Sequence, residues 1–191
     1  MPRAHPPIGS CAGLRLGPGV FRMPTHREAD RPRHTALDEA PLDVSPLCGE
    51  LQAWRPLTVQ AVSQSPLEPL WDALVRRYHY LGYQKLLGHR LKYLACLQDR
   101  PVAALAFSAP ARTLRVRDQW IGWSRGQREA RLNCIANNVR FLLLPWVGVP
   151  HLGSWILGAL GRRIAGDWQA KYAHPVVLLE TFVEQERFAG T

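Results

Sequence analysis

Cysteine is sparse in this chain and never clustered. Cys11, Cys48, Cys96 and Cys134 lie 37, 48 and 38 residues apart with no CxxC pair, which excludes a disulfide-built secreted module and points to a reducing compartment. No second histidine stands at metal-ligand spacing from His79, so no metal site is expected. The patterns GxxxxGK[ST], GxGxxG and GxSxG are all missing, which removes the P-loop, dinucleotide-fold and hydrolase-elbow readings. The amino terminus lacks the apolar run, about 7–15 residues, of a signal peptide. Only 141–160 (FLLLPWVGVPHLGSWILGAL) has the length of a bilayer span. Pro145, Pro150, His151 and Ser154 interrupt it, so it reads as a buried strand followed by a helix, and a soluble, cytoplasmic protein with no membrane partner is expected.

Lysine is scarce as well: arginine outnumbers it 21 to 3. Against these shortages stand 191 residues that are 47% hydrophobic and 20% charged, with seven tryptophans, the balance of a globular chain. The net charge of +9 is local. Residues 71–140 hold thirteen basic residues against four acids, whereas the remainder holds eleven of each sign. A concentrated positive field attracts phosphate backbones by steering and counterion release. The competing reading is a solvated face in an arginine-rich proteome, a bias that base composition alone can produce.

Residues 1–35, rich in Pro, Gly and Arg and without apolar period, read as a disordered basic tail, and 36–191 as one α/β domain. Ser65-Pro66-Leu67-Glu68 signals a capped helix start, Leu70, Trp71, Leu74, Val75 and Tyr78 form its inner stripe, and Gly82 is its expected stop. The runs 92–97 and 102–107, joined by Gln98-Asp99-Arg100-Pro101, read as a hairpin. Residues 117–123 read as a third strand or irregular segment. Ser124 and Gln127 open a helix through about Ala136, which Asn137 and Asn138 would end. Residues 139–144 and 176–183 read as covered strands flanking one long helix with the stripe Leu152, Ile156, Leu160, Ile164 and Trp168, a βαβ unit.

Several groups invite chemistry. Arg140 and Glu180 interrupt the two most apolar strands, where a lone charge is costly to bury. They are expected to pair across neighbouring strands, or Glu180 to face a cleft as a general base. His79 is a candidate acid or base near neutrality. Arg76, Arg77, Tyr78 and Tyr80, and again Arg112, Arg115, Arg117, Trp120, Trp123 and Arg125, mix aromatic faces with cations, as base stacking and phosphate contact require and as plain core packing also produces. Gly153 and Ser154 open a helix after a strand, where free amides can receive a cofactor phosphate, although glycines at such junctions are also packing residues.

The segments YHYLGY (78–83), RDQWIGWS (117–124), NNVRFLLLPWV (137–147) and LLETFVEQERFAGT (178–191) together resemble the Druantia anti-phage system protein DruA family over roughly residues 45–191. The resemblance implies bacterial defence against phage beside a large helicase-like partner, with relatives tied to mobile elements. It also implies that the domain continues past Thr191, so the chain is expected to be truncated and its sheet incomplete. The order of elements further resembles the coenzyme A-dependent acetyltransferase (GNAT) superfold, a three-layer architecture with a mixed sheet. Three functional readings remain open at this point. They are a nucleic-acid-engaging defence component, an acyltransferase using acetyl-coenzyme A, and an inert gene remnant.

Overall fold

A computed structural model describes residues 42–86 and 88–184. The proposed tail at 1–35 and the residues after Glu184 lie outside them. The elements are β1 (Leu47–Cys48), β2 (Leu57–Ala61), α1 (Glu68–Tyr78), β3 (Arg90–Leu97), β4 (Arg100–Ser108), α2 (Arg115–Ile121) and α3 (Arg125–Arg131). They continue with β5 (Ile135–Leu143), β6 (Val147–Gly148), α4 (Leu152–Gly161), α5 (Ile164–Tyr172) and β7 (Leu178–Thr181). Strands β2-β3-β4-β5-β7, in that order, make one sheet, antiparallel from β2 to β5 and parallel between β5 and β7. Strands β1 and β6 pair separately in parallel.

The mixed α/β sheet is covered on both faces. On one side Trp71, Leu74 and Val75 of α1 pack on Leu94, Ala104, Ala106 and Leu142, and the Trp71 indole donates to Leu105 O at 3.0 Å. On the other, Leu152, Ile156, Leu160, Ile164 and Trp168 pack on Tyr93, Leu105 and Phe107. The small residues Ala103, Ala104 and Ala106 sit at the centre of the sheet, where side chains from both helical layers need room.

The hairpin forms as the sequence predicts. Gln98 and Asp99 take φ of 47° and 65°, the paired left-handed geometry whose twist matches the flanking strands. The apolar stripe of 152–168 holds, but the helix breaks between α4 and α5. Arg163 N bonds Leu160 O at 3.0 Å, while the Arg163 side chain pairs with Asp167 at 2.7 Å and donates to Val59 O. Helix α1 starts at Glu68, two residues after the Pro66 expected behind a Ser65 cap, and ends at Tyr78. The Ser65 side chain is spent on Val62 O and Leu67 N, and His79 caps the helix in an extended conformation before Gly82 turns the chain at φ +63°.

Two segments depart from the sequence reading. Residues 115–121 are the helix α2, not a strand, because Gly122 takes φ +77° and returns its N–H to Asp118 O and Gln119 O, a helix stop. Helix α3 has the predicted Ser124–Gln127 capping box but ends at Arg131, and Asn137 and Asn138 lie inside β5 opposite Ser108 and Phe107. Ladder bonds to β4 and β7 hold both asparagines in the sheet against their preference for caps.

Candidate functional site

Strands β5 and β7 pair only over Ile135–Asn138 and Leu178–Thr181. Beyond that point β5 continues beside β4 while the chain after Thr181 leaves the sheet. A cleft of about 790 Å³ occupies the opening, lined by His79 and Tyr80 from the end of α1, by 137–141 of β5, by Leu157 of α4 and by 179–184.

A bulge in β5 shapes this cleft. Ala106 faces Arg140 and Phe107 faces Asn138, so Val139 is an extra residue in the ladder. Three residues apart, Asn137 and Arg140 would point to opposite faces of a regular strand. With the bulge, their partners Ser108 and Ala106 are two apart, and both side chains share the α1 face. The side-chain amide of Asn138, nitrogen turned inward, satisfies Ala106 O at 3.2 Å and Arg140 O at 2.7 Å across the irregularity.

Arg140 is 7% exposed and has no carboxylate partner among the described residues. One terminal nitrogen donates to Val139 O at 2.6 Å, its Nε has no acceptor, and burial pulls its pKa below the usual value. Asn137, 8% exposed, has an Oδ1 that receives no donor. The expected pairing of Arg140 with Glu180 is therefore not formed. Glu180 stands opposite Asn137 and accepts from Arg117 at 3.4 Å through both oxygens. Its alternative placement, facing a cleft, is the one adopted.

Arg117, expected from the sequence among the phosphate-contacting residues, does not reach the surface. It is 6% exposed and turned inward, bonded to Asp118 Oδ1 at 3.1 Å, to Ala111 O at 3.0 Å and to Glu180. Arg128 adds a bond to Asp118 Oδ2 at 3.0 Å. Burial works against the Asp118 charge, but hydrogen bonds from Arg128 and Arg117 outweigh it and hold the carboxyl below its usual range. This latch ties α2 and α3 to the strand that borders the cleft.

His79 is buried at the cleft wall, and burial first, then the Arg140 charge, pushes its pKa down to about 4. It is neutral at physiological pH, titrating below the near-neutral range expected of it as an acid or base. Its Nδ1 accepts from Leu81 N at 3.2 Å, and its ring stacks on Tyr80 with centroids 4.8 Å apart. A histidine whose folded pKa lies below its unfolded one contributes stability that is complete above about pH 6.5 and is lost as pH falls toward 4. The expected loss is on the order of 2–3 kcal/mol. Denaturant titrations at pH 7 and pH 4.5 check this, because His79→Asn, which keeps an acceptor for Leu81 N, removes most of the difference.

The other nominated residues divide by exposure. Trp120 is 78% exposed on α2, with Val116 one turn before it and Arg115 and Arg112 also exposed. Arg112, Arg115 and Arg131 have no carboxylate partner among the described residues, whereas Arg125 pairs with Glu129 at 3.0 Å. Arg76 and Arg77 are exposed at the end of α1, over the rings of Tyr83 and Tyr78 at 5.1 and 5.2 Å. Tyr78 itself packs edge-on against Trp146 at 5.3 Å, whereas Trp123 is half-buried. Gly153 faces β5, where a Cβ would stand in ordinary contact at 3.4 Å from the Phe141 ring, while Ser154 is exposed in the first turn.

Sequence reasoning passed over Asn137 and the bulge. The signal was available in NNVR, two polar residues and a cation opening a run of apolar ones, yet it resembles a helix stop. Among the described residues no helix is long and apolar enough to cross a membrane, and no three potential metal ligands cluster. The profile of one family, Druantia protein DruA, matches residues 38–191. No curated protein and no solved structure is significantly similar to the chain.

Proposed function

The chain belongs to the Druantia protein DruA family, which implies a component of Druantia anti-phage defence, and from that premise we propose that it engages nucleic acid through α2 and the end of α1. The observation that carries this reading is Trp120. A tryptophan exposed over most of its surface loses favourable burial unless something covers it. On the same helix and in the segment leading into it stand exposed cations without carboxylate partners among the described residues, Arg115 and Arg112, which suits a stack of bases with a phosphate track. Lys92, Arg100, Arg117, Arg125 and Arg128 are held in carboxylate pairs and contribute little to that track. The phosphate contacts therefore fall to a small set of arginines.

Such contacts release counterions, with the logarithm of affinity falling by about 0.9 per contact for each decade of salt on duplex and about 0.7 on single strands. Three or four contacts predict that binding to a single-stranded oligonucleotide weakens roughly 10- to 50-fold between about 50 and 200 mM salt. Anisotropy titrations measure this, and a flat salt response rejects phosphate contact. A helicase-like partner remains part of the proposal, consistent with a domain that positions a strand rather than moving along it.

A second reading is favoured by the topology. Four antiparallel strands, a bulge in the fourth, and a parallel fifth strand that follows a crossover helix and parts from its neighbour resemble the acetyltransferase arrangement. In that arrangement acetyl-coenzyme A would enter the opening between β5 and β7, with the first turn of α4 near its phosphates. Fold analogy supports an architecture and not a reaction. A shift in melting temperature with acetyl-coenzyme A, absent with adenine nucleotides, is the result that would favour it.

A further inference from the structure

Arg140 and Asn137 leave complementary buried groups unsatisfied on one face of one strand. The first offers an N–H without an acceptor and the second an oxygen without a donor, and both line the same cleft. A buried polar atom without a partner costs about 1–3 kcal/mol, so two of opposite kind side by side point to a ligand whose edge carries an acceptor next to a donor. By strand geometry their backbones stand about 7 Å apart, a span that one planar heterocycle bridges.

We infer that the cleft between β5 and β7 is a pocket for a single extruded nucleobase, and that its edge chemistry selects guanine. This deepens the nucleic-acid reading and rests on it. Guanine presents O6 and N7 as acceptors for Arg140 Nε, and N1–H with the 2-amino group as donors for Asn137 Oδ1. The Glu180 carboxylate opposite Asn137 keeps lone pairs beyond its contacts with Arg117 and reinforces the donor side. The other bases also set an acceptor beside a donor, but thymine has one N–H and no amino group, and adenine and cytosine have an amino group and no ring N–H, so each offers fewer donors to Asn137 Oδ1 and Glu180 than guanine does. The walls suit the flat faces of a base: Phe141, Leu157 and Phe182 line the cleft, and Tyr80 lies at its mouth, stacked on His79. A volume of about 790 Å³ admits a nucleotide with its sugar. A base enters such a pocket at low cost from a single strand, where little stacking is broken.

The experiment compares two fluorescent single-stranded oligonucleotides, all thymine or with one central guanine, and in parallel the effect of dGMP and dTMP on melting temperature. The full chain is expected to prefer the guanine strand by about 10-fold, the discrimination of one well-matched base contact. Arg140→Gln and Asn137→Leu abolish the preference while leaving all-thymine binding unchanged. Leu157→Trp, which fills the cleft from a half-exposed position and disturbs neither buried polar group, does the same and guards against a folding defect. Arg112→Ala with Arg115→Ala weakens both strands equally and keeps the ratio. Equal binding of the two strands by the unmodified chain overturns the pocket and leaves the surface reading intact. If neither strand binds, the surface reading falls, and stabilisation by dGMP that Arg140→Gln and Leu157→Trp both remove still supports the pocket. No binding and no stabilisation rejects both, and a cleft that acetyl-coenzyme A fills and dGMP does not rejects the pocket alone.

Discussion

Glu180→Ala lowers the unfolding free energy by about 3 kcal/mol, the range for removing one partner of a buried ion pair. Arg117 is nearly enclosed, and Glu180 is the contact that joins its helix to β7. Without it the guanidinium keeps Asp118 and Ala111 O, both local to α2, so the bond between helix and sheet is the one lost. Urea unfolding measures the stability, and amide exchange over 115–121 locates the effect, which should exceed that in β3 or β4. Replacing the pair together, Arg117→Leu with Glu180→Leu, should cost less than Glu180→Ala alone, because no charge is then stranded. A loss below about 1 kcal/mol for Glu180→Ala would mean that α2 is held by its apolar contacts and that the latch is incidental.

Trp120→Ala combined with Arg112→Ala and Arg115→Ala reduces affinity for a single-stranded oligonucleotide by about 100-fold at low salt. One aromatic stack contributes roughly 1–3 kcal/mol, and two phosphate contacts flatten the salt slope by about 1.4 on a single strand. All three side chains are exposed, so folding stability should stay within about 0.5 kcal/mol of the unmodified chain. That separation of affinity from stability makes the variant informative. Anisotropy at two salt concentrations reads the slope, and thermal unfolding confirms the fold. An unchanged slope would move the phosphate track to the arginines at the end of α1.

The tryptophan and the latch also illustrate how far the linear chain can be read. Arg115, Arg117 and Trp120 look alike in the sequence, cations and rings in one basic stretch. Only the inward turn of Arg117 toward Glu180, 63 residues away, separates a structural residue from candidate binding ones. Similarly, Arg140 and Glu180 are conspicuous as charges in apolar strands. Their partners depend on the register, which sets Glu180 against Asn137 and Arg140 against Ala106. The segment 115–121 misleads because its tryptophan and isoleucine suit a strand, while the left-handed turn at Gly122 and the anchoring of Arg117 favour a helix.

Periodicity and turn chemistry, both properties of near neighbours, determined the helical stripe of 152–168, the 98–99 hairpin, the Ser124 cap and the alternation that makes this an α/β chain. Motif order determined the family. The tertiary structure alone decided the bulge at Val139, the shared face of Asn137 and Arg140, the buried latch at Arg117 and the neutral state of His79. Each of these arises from groups distant in sequence brought together in a medium of low polarity. There the energy of a charge or an unpaired donor depends on what the fold places beside it.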